Sequence, residues 1–218
     1  MHGLPTLVVV SGPPGSGKTT LAHALAHAIG CPAVCRDEIK EGMVHATPDF
    51  TSGPEDQLNL RTLPVFFQTL ELLLRAGVTV VAEAAFQDRL WRPGLTPLQA
   101  HAHLRVIHCM VDPALAAARI DQRRKNDPRR RAHSDPQRPI WAPAAFQRVT
   151  LDAPPLEIDT TSGYRPTLTA IVDFVNSSHW SDTIHDQRHM SEGPSREMPQ
   201  PCATDHEAER TDSTGGCQ

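Results

Sequence analysis

The chain has 218 residues and a formal net charge of −4 at pH 7. This length fits one α/β domain with an appendage, and it is enough to bury a core without disulfides. The acidic balance argues against general coating of nucleic acid, which needs a basic excess. Arginine outnumbers lysine eighteen to three, so each lysine is less easily explained as an ordinary surface charge.

Five cysteines are scattered along the chain without a C-x-x-C pair. This spacing favours free thiols in a reducing compartment. The first residues lack the basic and apolar regions of a secretory signal, and no apolar run approaches the length of a membrane span. We therefore expect a cytoplasmic protein that has no membrane partner.

The apolar segments predict alternating strands and helices. The β-branched run at 7–10 is typical of a strand buried on both faces of a parallel sheet. The further predicted strands lie at 32–35, 78–82, 104–111 and near 156–158, and the predicted helices at 18–29, 38–44, 61–75, 114–124 and 167–177. This rhythm of βαβ units predicts an α/β three-layer sandwich with a five-stranded parallel sheet.

Two further segments have no apolar periodicity. Residues 47–57 are polar and contain glycine and proline, which predicts a loop. From residue 178 onward Ser, His, Asp, Glu, Pro and Gly dominate. We therefore expect a folded domain over 1–177 and a disordered tail over 178–218.

The strongest motif stands between the first strand and the first helix, where residues 12–19 read GPPGSGKT. This spacing supplies backbone N–H groups at a helix N-terminus, which suit the oxygens of a triphosphate. Lys18 is expected to reach the β- and γ-phosphates of ATP, and the Thr19 hydroxyl to ligate Mg²⁺. The predicted nucleotide contacts in this segment are Gly12, Pro13, Pro14, Gly15, Ser16, Gly17, Lys18, Thr19 and Thr20.

A group that activates the phosphate acceptor is expected after the second strand, because ligands of open parallel sheets bind at the carboxyl ends of the strands. Asp37 is the candidate base for a substrate hydroxyl. Lys40 follows three residues later and is expected to hold charge on the acceptor or the γ-phosphate. The alternative for Asp37 is a plain N-cap of the helix from Glu38. Arg36 pairs with a substrate anion or, as we favour, with a surface carboxylate.

Glu83 ends the third predicted strand, where P-loop proteins usually carry an acidic residue that positions Mg²⁺. The usual aspartate is missing. Glu83 is therefore either a metal-side or acceptor-side ligand, or a solvated surface charge.

A strongly cationic stretch follows the fourth strand and is predicted to form a mobile lid at about 125–140. Lid arginines neutralise charge during phosphoryl transfer and exclude water. Arg119 and Arg123 share one helix face, so one is expected against the nucleobase of ATP and the other at the phosphates. His133 and Ser134 are further candidates for the lid. The alternative is a nucleic-acid patch, although aromatic stacking partners are absent. The cations are Arg119, Arg123, Arg124, Lys125, Arg129, Arg130 and Arg131.

Four aromatic residues have two open interpretations. Phe50, Phe66, Phe86 and Trp91 are equally suited to an acceptor pocket or to the core. For Phe66 the core is the favoured interpretation.

Several segments together resemble a known family. They are GPPGSGKTT, Arg36-Asp37-Glu38-Ile39-Lys40, Ala82-Glu83-Ala84, the arginine-rich stretch and Asp159-Thr160-Thr161. Over residues 4–176 the chain resembles the small P-loop kinases grouped as AAA-domain ATP-binding proteins. These kinases are related to the kinase domain of polynucleotide kinase, to chloramphenicol phosphotransferase and to zeta toxins.

The resemblance implies roles for particular residues. In the polynucleotide kinase pattern an Arg-Asp pair precedes an arginine three residues after the aspartate, which places the base at Asp37 and its cationic partner at Lys40. Lysine at this position is a departure, because the bidentate guanidinium fork is lost. Similarity to adenylate-type kinases implies that adenine lies near Arg119 and Thr160.

These features predict a kinase that transfers the γ-phosphate of ATP to a hydroxyl of a small-molecule acceptor. A GTPase is disfavoured because N-K-x-D and D-x-x-G motifs are missing. A ring-forming motor is disfavoured because the acidic pair of its usual second motif is missing. Two alternatives stay open, which are a nucleic-acid 5′-end kinase or binder and a non-catalytic nucleotide-binding regulator.

Overall fold

Five parallel strands form the sheet, in the order β2-β3-β1-β4-β5. The strands are β1 (Thr6–Ser11), β2 (Ala33–Cys35), β3 (Val80–Glu83), β4 (His103–Met110) and β5 (Leu156–Asp159). β1 therefore lies in the centre, and the chain changes direction across the sheet on either side of it. This is an α/β sheet with a topological switch point, at which ligands of such folds bind. The predicted five-stranded parallel sheet is confirmed.

Helices connect the strands, as parallel pairing requires. They are α1 (Lys18–Ile29), α2 (Arg36–His45), α3 (Gln57–Arg75), α4 (Asp88–Leu95), α5 (Pro113–Asn126) and α6 (Leu168–Asn176). Short 3₁₀ helices lie at Thr96–Ala100 and Pro128–Ala132. α3 begins four residues earlier than periodicity predicts, because the Asp56 side chain caps it by accepting from Leu58 N at 2.8 Å.

The computed structural model describes residues 3–53, 56–133, 146–151 and 155–177. All of them belong to a unit that spans Met1–Ser178. The tail predicted over 178–218, and the part of the predicted lid after His133, lie outside the described residues. In the described residues no helix is both long and apolar enough to cross a membrane.

The two faces of the sheet are covered by different helices. Alternate residues of β1, Leu7 and Val9, belong to a core cluster with side chains of α3 and α4. Four aromatic rings meet here, and they are Phe66, Phe67, Phe86 and Trp91. Their pairs are edge to face, except for Phe67 and Phe86, whose planes are tilted by 31°. The core interpretation is therefore confirmed for Phe66 and also applies to Phe86 and Trp91.

The register of the sheet aligns the ends of three strands. Glu83 of β3 is opposite Val10 of β1 and opposite Cys35 of β2. Thr19, at the start of α1, contacts Glu83, so α1 covers the face of the sheet opposite to the aromatic cluster. The loop after β1, the end of β3 and the start of α2 consequently meet at one edge of the sheet.

Candidate active site

The loop between β1 and α1 has a backbone that only glycine fits well. Gly15 and Gly17 have φ of 80° and 75°, and Gly12 has φ of 150°. A Cβ on Gly12 would lie 2.5 Å from the carbonyl oxygen of Cys109, and one on Gly15 would lie 2.6 Å from that of Ala116. Neighbouring backbone atoms thus leave no room for a side chain at either position, which explains why both residues are glycine.

Inside this loop two side chains point to an anion site. Lys18 is 6% exposed, and its Nζ donates to the carbonyl oxygen of Pro13 at 3.1 Å. The Ser16 hydroxyl is buried and has no hydrogen-bond partner among the described residues. α1 begins here at Lys18, with Gly17 as its N-cap, and has no acidic residue in its first turn. A buried ammonium, an unsatisfied hydroxyl and the positive end of a helix together fit a phosphate group.

The remaining predicted residues of the loop are arranged around this cradle. Pro13 is buried, Pro14 and Thr20 are exposed, and Thr19 is half-buried. Among the described residues, neither Pro14 nor Thr20 has a side-chain contact that assigns it to the phosphates, so their predicted role stays a prediction.

Glu83 and Thr19 form a pair of oxygen ligands beside the cradle. Thr19 Oγ1 donates to Glu83 Oε2 at 3.1 Å, and Lys18 Nζ lies 3.9 Å from Glu83 Oε1. Glu83 is 3% exposed, so the interpretation as a solvated surface charge is wrong. A hydroxyl and a carboxylate are ligands that Mg²⁺ accepts. The donor set therefore fits a magnesium ion.

Burial raises the pKa of the Glu83 carboxyl above its ordinary value. The Lys18 ammonium opposes this rise in pKa, the Asp37 carboxylate adds to it, and the hydrogen bond from Thr19 opposes it. A cation bound beside Glu83 would stabilise the charged form in the same way as Lys18 does. The pKa of Glu83 therefore depends on the charge of Lys18 in the cradle and on the charge of Asp37.

Asp37 lies in the first turn of α2, two residues after β2 ends. Cys35 is the N-cap of that helix, so the alternative that Asp37 caps it is wrong. The side chain of Asp37 is 45% exposed, and its Oδ1 accepts from Arg36 Nη1 at 2.9 Å. Arg36 is buried, and its Nη2 donates to Asn59 Oδ1 at 2.9 Å. The favoured expectation for Arg36, a pair with a surface carboxylate, agrees with this contact.

Lys40 has a different environment from the predicted one. Its side chain is 1% exposed, and Nζ lies 2.5 Å from Oδ2 of the equally buried Asp56. The ring centroid of Phe50 is 5.8 Å from Nζ. The charge of Lys40 is thus balanced by the protein's own carboxylate, which corrects the expectation that it serves an acceptor or the γ-phosphate. Desolvating a lysine demands such a partner.

Arg119 joins α5 to the cradle and to the segment after β5. Its Nη2 donates to the carbonyl oxygen of Thr160 at 2.8 Å, and its Nη1 lies 3.5 Å from that of Gly15. The Thr160 hydroxyl is 2.8 Å from the carbonyl oxygen of Ser16. The structure therefore brings Arg119 and Thr160, the two residues predicted to lie near the adenine, together at the cradle.

The cationic stretch is partly neutralised by carboxylates of its own segment. Asp121 pairs with Arg124 and Lys125 at 2.7 Å, and Asp127 pairs with Arg129 at 2.9 Å. Arg123 is half-buried and has no ion pair among the described residues. The side chains of residues 130 and 131, together with Ser134, lie outside the described residues.

His133 is a buried residue at the end of the described cationic stretch. It is 4% exposed, and its Nε2 lies 3.2 Å from Glu41 Oε1 on α2. This contact connects the end of the described lid segment to the helix that carries Asp37. That His133 belongs to a lid stays a prediction.

Sequence reasoning missed two residues that hold Arg36 and Lys40. Asn59 holds Arg36, and Asp56 both caps α3 and balances Lys40. Asp56 lies in the segment predicted as a plain loop, where the available signal was an Asp one residue before the helix. No sequence signal distinguishes Asn59 from other polar residues of α3.

Part of the chain matches a known protein family. Residues 7–138 match the model of a family described as an AAA domain. This match covers more than half of the chain. A curated relative, an uncharacterized protein of Mycobacterium tuberculosis, is 27% identical over 130 residues, which are 55% of this chain and 26% of that protein. The chain spans about a quarter of the length of the curated relatives it matches.

Two solved structures have the same fold. A candidate kinase from Chloroflexus aurantiacus is 25% identical with a TM-score of 0.67, and the match covers 79% of this chain and 97% of that one. The APS kinase of Mycobacterium tuberculosis, solved with AMPPNP and APS, is 16% identical with a TM-score of 0.55, covering 81% and 100%. The chain belongs to the AAA-domain family and has the α/β fold of the P-loop kinases.

Proposed function

We propose that this protein transfers the γ-phosphate of ATP to a hydroxyl group of a small-molecule acceptor. The observation that carries the proposal is the position of Glu83. It contacts Thr19, lies close to Lys18, and has its pKa raised in part by the Asp37 carboxylate. The phosphate cradle and the candidate base therefore both act electrostatically on one buried carboxylate, which supports a donor and an acceptor group in the same site.

On the donor side, the backbone from Gly12 to Gly17 and the Lys18 ammonium bind the phosphates. Arg119 and Thr160 lie where the nucleoside end of ATP is expected. Thr19 and Glu83 would hold Mg²⁺, which supplies charge neutralisation at the β- and γ-phosphates when it is bound. Arg123 is proposed to approach the same phosphates from α5.

On the acceptor side, Asp37 accepts the proton of the attacking hydroxyl. The acceptor oxygen forms a bond to the γ-phosphorus, the bond from that phosphorus to the β,γ-bridging oxygen breaks, and ADP leaves. Arg36 fixes the carboxylate from one side, and its own position is fixed by Asn59. Such a hydrogen-bonded arrangement keeps a base in one orientation at little entropic cost.

A small-molecule acceptor is favoured over a nucleic-acid end. Three of the described cations after β4 are paired within their own segment, which lowers the field available for a polyanion. The described part of this stretch also presents no aromatic ring for base stacking. Nucleic-acid end phosphorylation is therefore the second candidate.

The test is to incubate the full chain with Mg²⁺ and ATP labelled on its γ-phosphate. Separate pools contain hydroxylated metabolites, hydroxylated antibiotics and 5′-hydroxyl oligonucleotides. We expect label in a small-molecule pool. Asp37→Asn should lower transfer by about 100-fold or more, the usual scale for loss of a base, while ATP binding persists. Glu71→Gln, an exposed carboxylate on α3, serves as the control.

The result of the labelling experiment distinguishes the candidate functions. Label in the oligonucleotides alone would replace the proposed acceptor class by nucleic-acid ends. If no pool accepts label, and Asp37→Asn changes neither ATP turnover nor stability, the kinase proposal is wrong and a nucleotide-binding regulator is the remaining function.

A further inference from the structure

A mixed cluster of potential metal ligands lies between α1, β2 and α2. Its members are His23 of α1, Cys35 at the end of β2 and Glu38 in the first turn of α2. One ligand atom from each lies within 4.8 Å of the other two. The cluster shares no residue with the set Lys18, Thr19 and Glu83, but it is adjacent to it, because Cys35 is opposite Glu83 in the sheet and His23 lies one helical turn after Thr19.

The contacts converge on a single ring nitrogen. His23 Nε2 lies 2.7 Å from Glu38 Oε1 and 3.7 Å from Cys35 Sγ. One imidazole nitrogen carries either one proton or one lone pair, so it cannot donate to the carboxylate and accept from the thiol in the same state. The Cys35 thiol also hydrogen-bonds with Glu38. The three side chains therefore contact one another in all three pairs, which is the close spacing that ligands of one ion require.

The chemistry of the three ligands selects the cation. A thiolate, an imidazole and a carboxylate bind zinc and other borderline divalent ions, whereas Mg²⁺ and Ca²⁺ prefer oxygen ligands. Tetrahedral zinc with these bond lengths separates sulfur from nitrogen by about 3.6 Å. The observed 3.7 Å agrees with this value. Glu38 must withdraw by about half an ångström to bind, and its side chain is 43% exposed, so it is free to move.

The electrostatic surroundings also favour a cation. Burial first, and then the carboxylates of Glu83, Glu38 and Asp37, raise the pKa of the Cys35 thiol. The same negative charges attract a divalent ion to this position.

We propose that His23, Cys35 and Glu38 bind a zinc-class divalent cation with one coordination position left open. Three ligands from three consecutive elements join α1 and β2 to the start of α2. Asp37 lies between Cys35 and Glu38 in the sequence, so a bound ion would fix the turn that carries the candidate base. The binding itself does not depend on the proposed phosphotransfer.

Cobalt substitution tests this site directly. The reduced full chain, freed of metal with a chelator, is titrated with Co²⁺ and followed by absorption. We expect a near-ultraviolet band from thiolate to Co²⁺ and visible bands of a four-coordinate ion, saturating at about one equivalent and displaced by Zn²⁺. His23→Gln and Cys35→Ser should each weaken Co²⁺ binding at least about tenfold.

Two matched variants serve as controls. Cys31→Ser changes a half-buried thiol of the same segment, and His27→Gln changes the exposed histidine one turn further along α1. Both should leave the titration unchanged. His23 is exposed, so His23→Gln keeps the fold, which far-ultraviolet circular dichroism verifies.

The proposal is overturned if the thiolate band is absent. It is equally overturned if a folded His23→Gln protein binds Co²⁺ as tightly as the wild type, or if Cys31→Ser removes the band. Because the readout is absorption, a failure here leaves the phosphotransfer proposal untouched, and a failure of phosphotransfer leaves this site untouched.

Discussion

Thr19 Oγ1 donates a hydrogen bond to Glu83 Oε2 over 3.1 Å. The two residues are 64 positions apart in the chain, and they meet because β1 and β3 are neighbours in the sheet. The bond joins the first helical turn after the glycine-rich loop to the end of β3. Both candidate metal ligands therefore lie on the side of the sheet that α1 covers.

Glu83→Gln keeps the size of the side chain and removes its charge. We expect the Mg²⁺ concentration needed for half-maximal ATP turnover to rise about tenfold or more, because a neutral amide is a poorer ligand for a hard cation. Turnover measured against Mg²⁺ concentration at saturating ATP checks this. An unchanged Mg²⁺ dependence, equal to that of Glu71→Gln, would remove Glu83 from the metal site.

Lys18→Ala removes the buried ammonium from the cradle. ATP affinity should fall at least about tenfold, which corresponds to about 1.4 kcal/mol. Isothermal titration calorimetry measures the dissociation constant. Lys125→Ala is the control, since Lys125 is exposed on α5 and pairs with Asp121. If Lys18→Ala binds ATP as the wild type does, the assignment of the cradle is wrong.

A comparison of Gly15→Ala with Gly30→Ala separates the energetic cost of steric crowding from the cost of backbone strain. Both glycines have positive φ, at 80° and 73°, but a Cβ meets the carbonyl oxygen of Ala116 at position 15 and nothing within 4 Å at position 30. Gly30→Ala should cost only the strain, about 1 kcal/mol of unfolding free energy. Gly15→Ala should cost more and also lose ATP affinity. Equal costs in urea unfolding would contradict the crowding argument.

Arg119→Ala removes the guanidinium that bridges α5, the cradle and Thr160. The expected result is a rise of the ATP dissociation constant by about tenfold, because hydrogen bonds from a charged group contribute about 1.5–3 kcal/mol. Arg124→Ala, which loses only an exposed ion pair, should change little. Similar losses in both variants would point to a general charge effect.

His108 gives the protein a pH-dependent stability. The residue is 4% exposed, its ring is 5.7 Å from that of Phe146, and burial together with the Arg148 cation lowers its pKa to about 4. The unfolded chain takes up this proton near pH 6.5. Stability from His108 is therefore complete above that pH and is lost as pH falls from about 6.5 toward 4.

Urea unfolding between pH 7 and 5 measures this effect. The slope for one proton has an upper limit of about 1.4 kcal/mol per pH unit. His108→Gln should lose this contribution to the slope, whereas His103→Gln, an exposed residue on the same strand, should retain it. Identical pH profiles for His108→Gln and the wild type would show that His108 takes up its proton equally in both states.

The residues near the cradle differ in how well they could be predicted. Gly15 and Lys18 belong to a local motif, in which spacing along the chain already dictates the geometry. Glu83 was predicted with two open interpretations, and only its pairing with β1 and β2 excluded the exposed one. Asp37 was assigned to the correct strand end, but its position within α2 required the helix start to be known.

Lys40 illustrates the opposite case. Its distance of three residues from Asp37 favours a shared helix face, yet a helix has several faces and spacing does not say which one meets the substrate. The partner that decides the matter, Asp56, comes from a segment with no apolar pattern. The proposed metal ligands His23, Cys35 and Glu38 could not be predicted from spacing either, because they come from three separate elements.

By itself the sequence determined the parallel α/β sheet, the phosphate loop and the strand ends at which acidic residues occur. These depend on hydrophobic periodicity and on short motifs, and both are local along the chain. The tertiary structure alone decided that Glu83 is buried against Thr19, that Arg119 meets Thr160, and that Lys40 is balanced by Asp56. Such contacts depend on strand order and helix packing, which bring distant residues within a few ångströms.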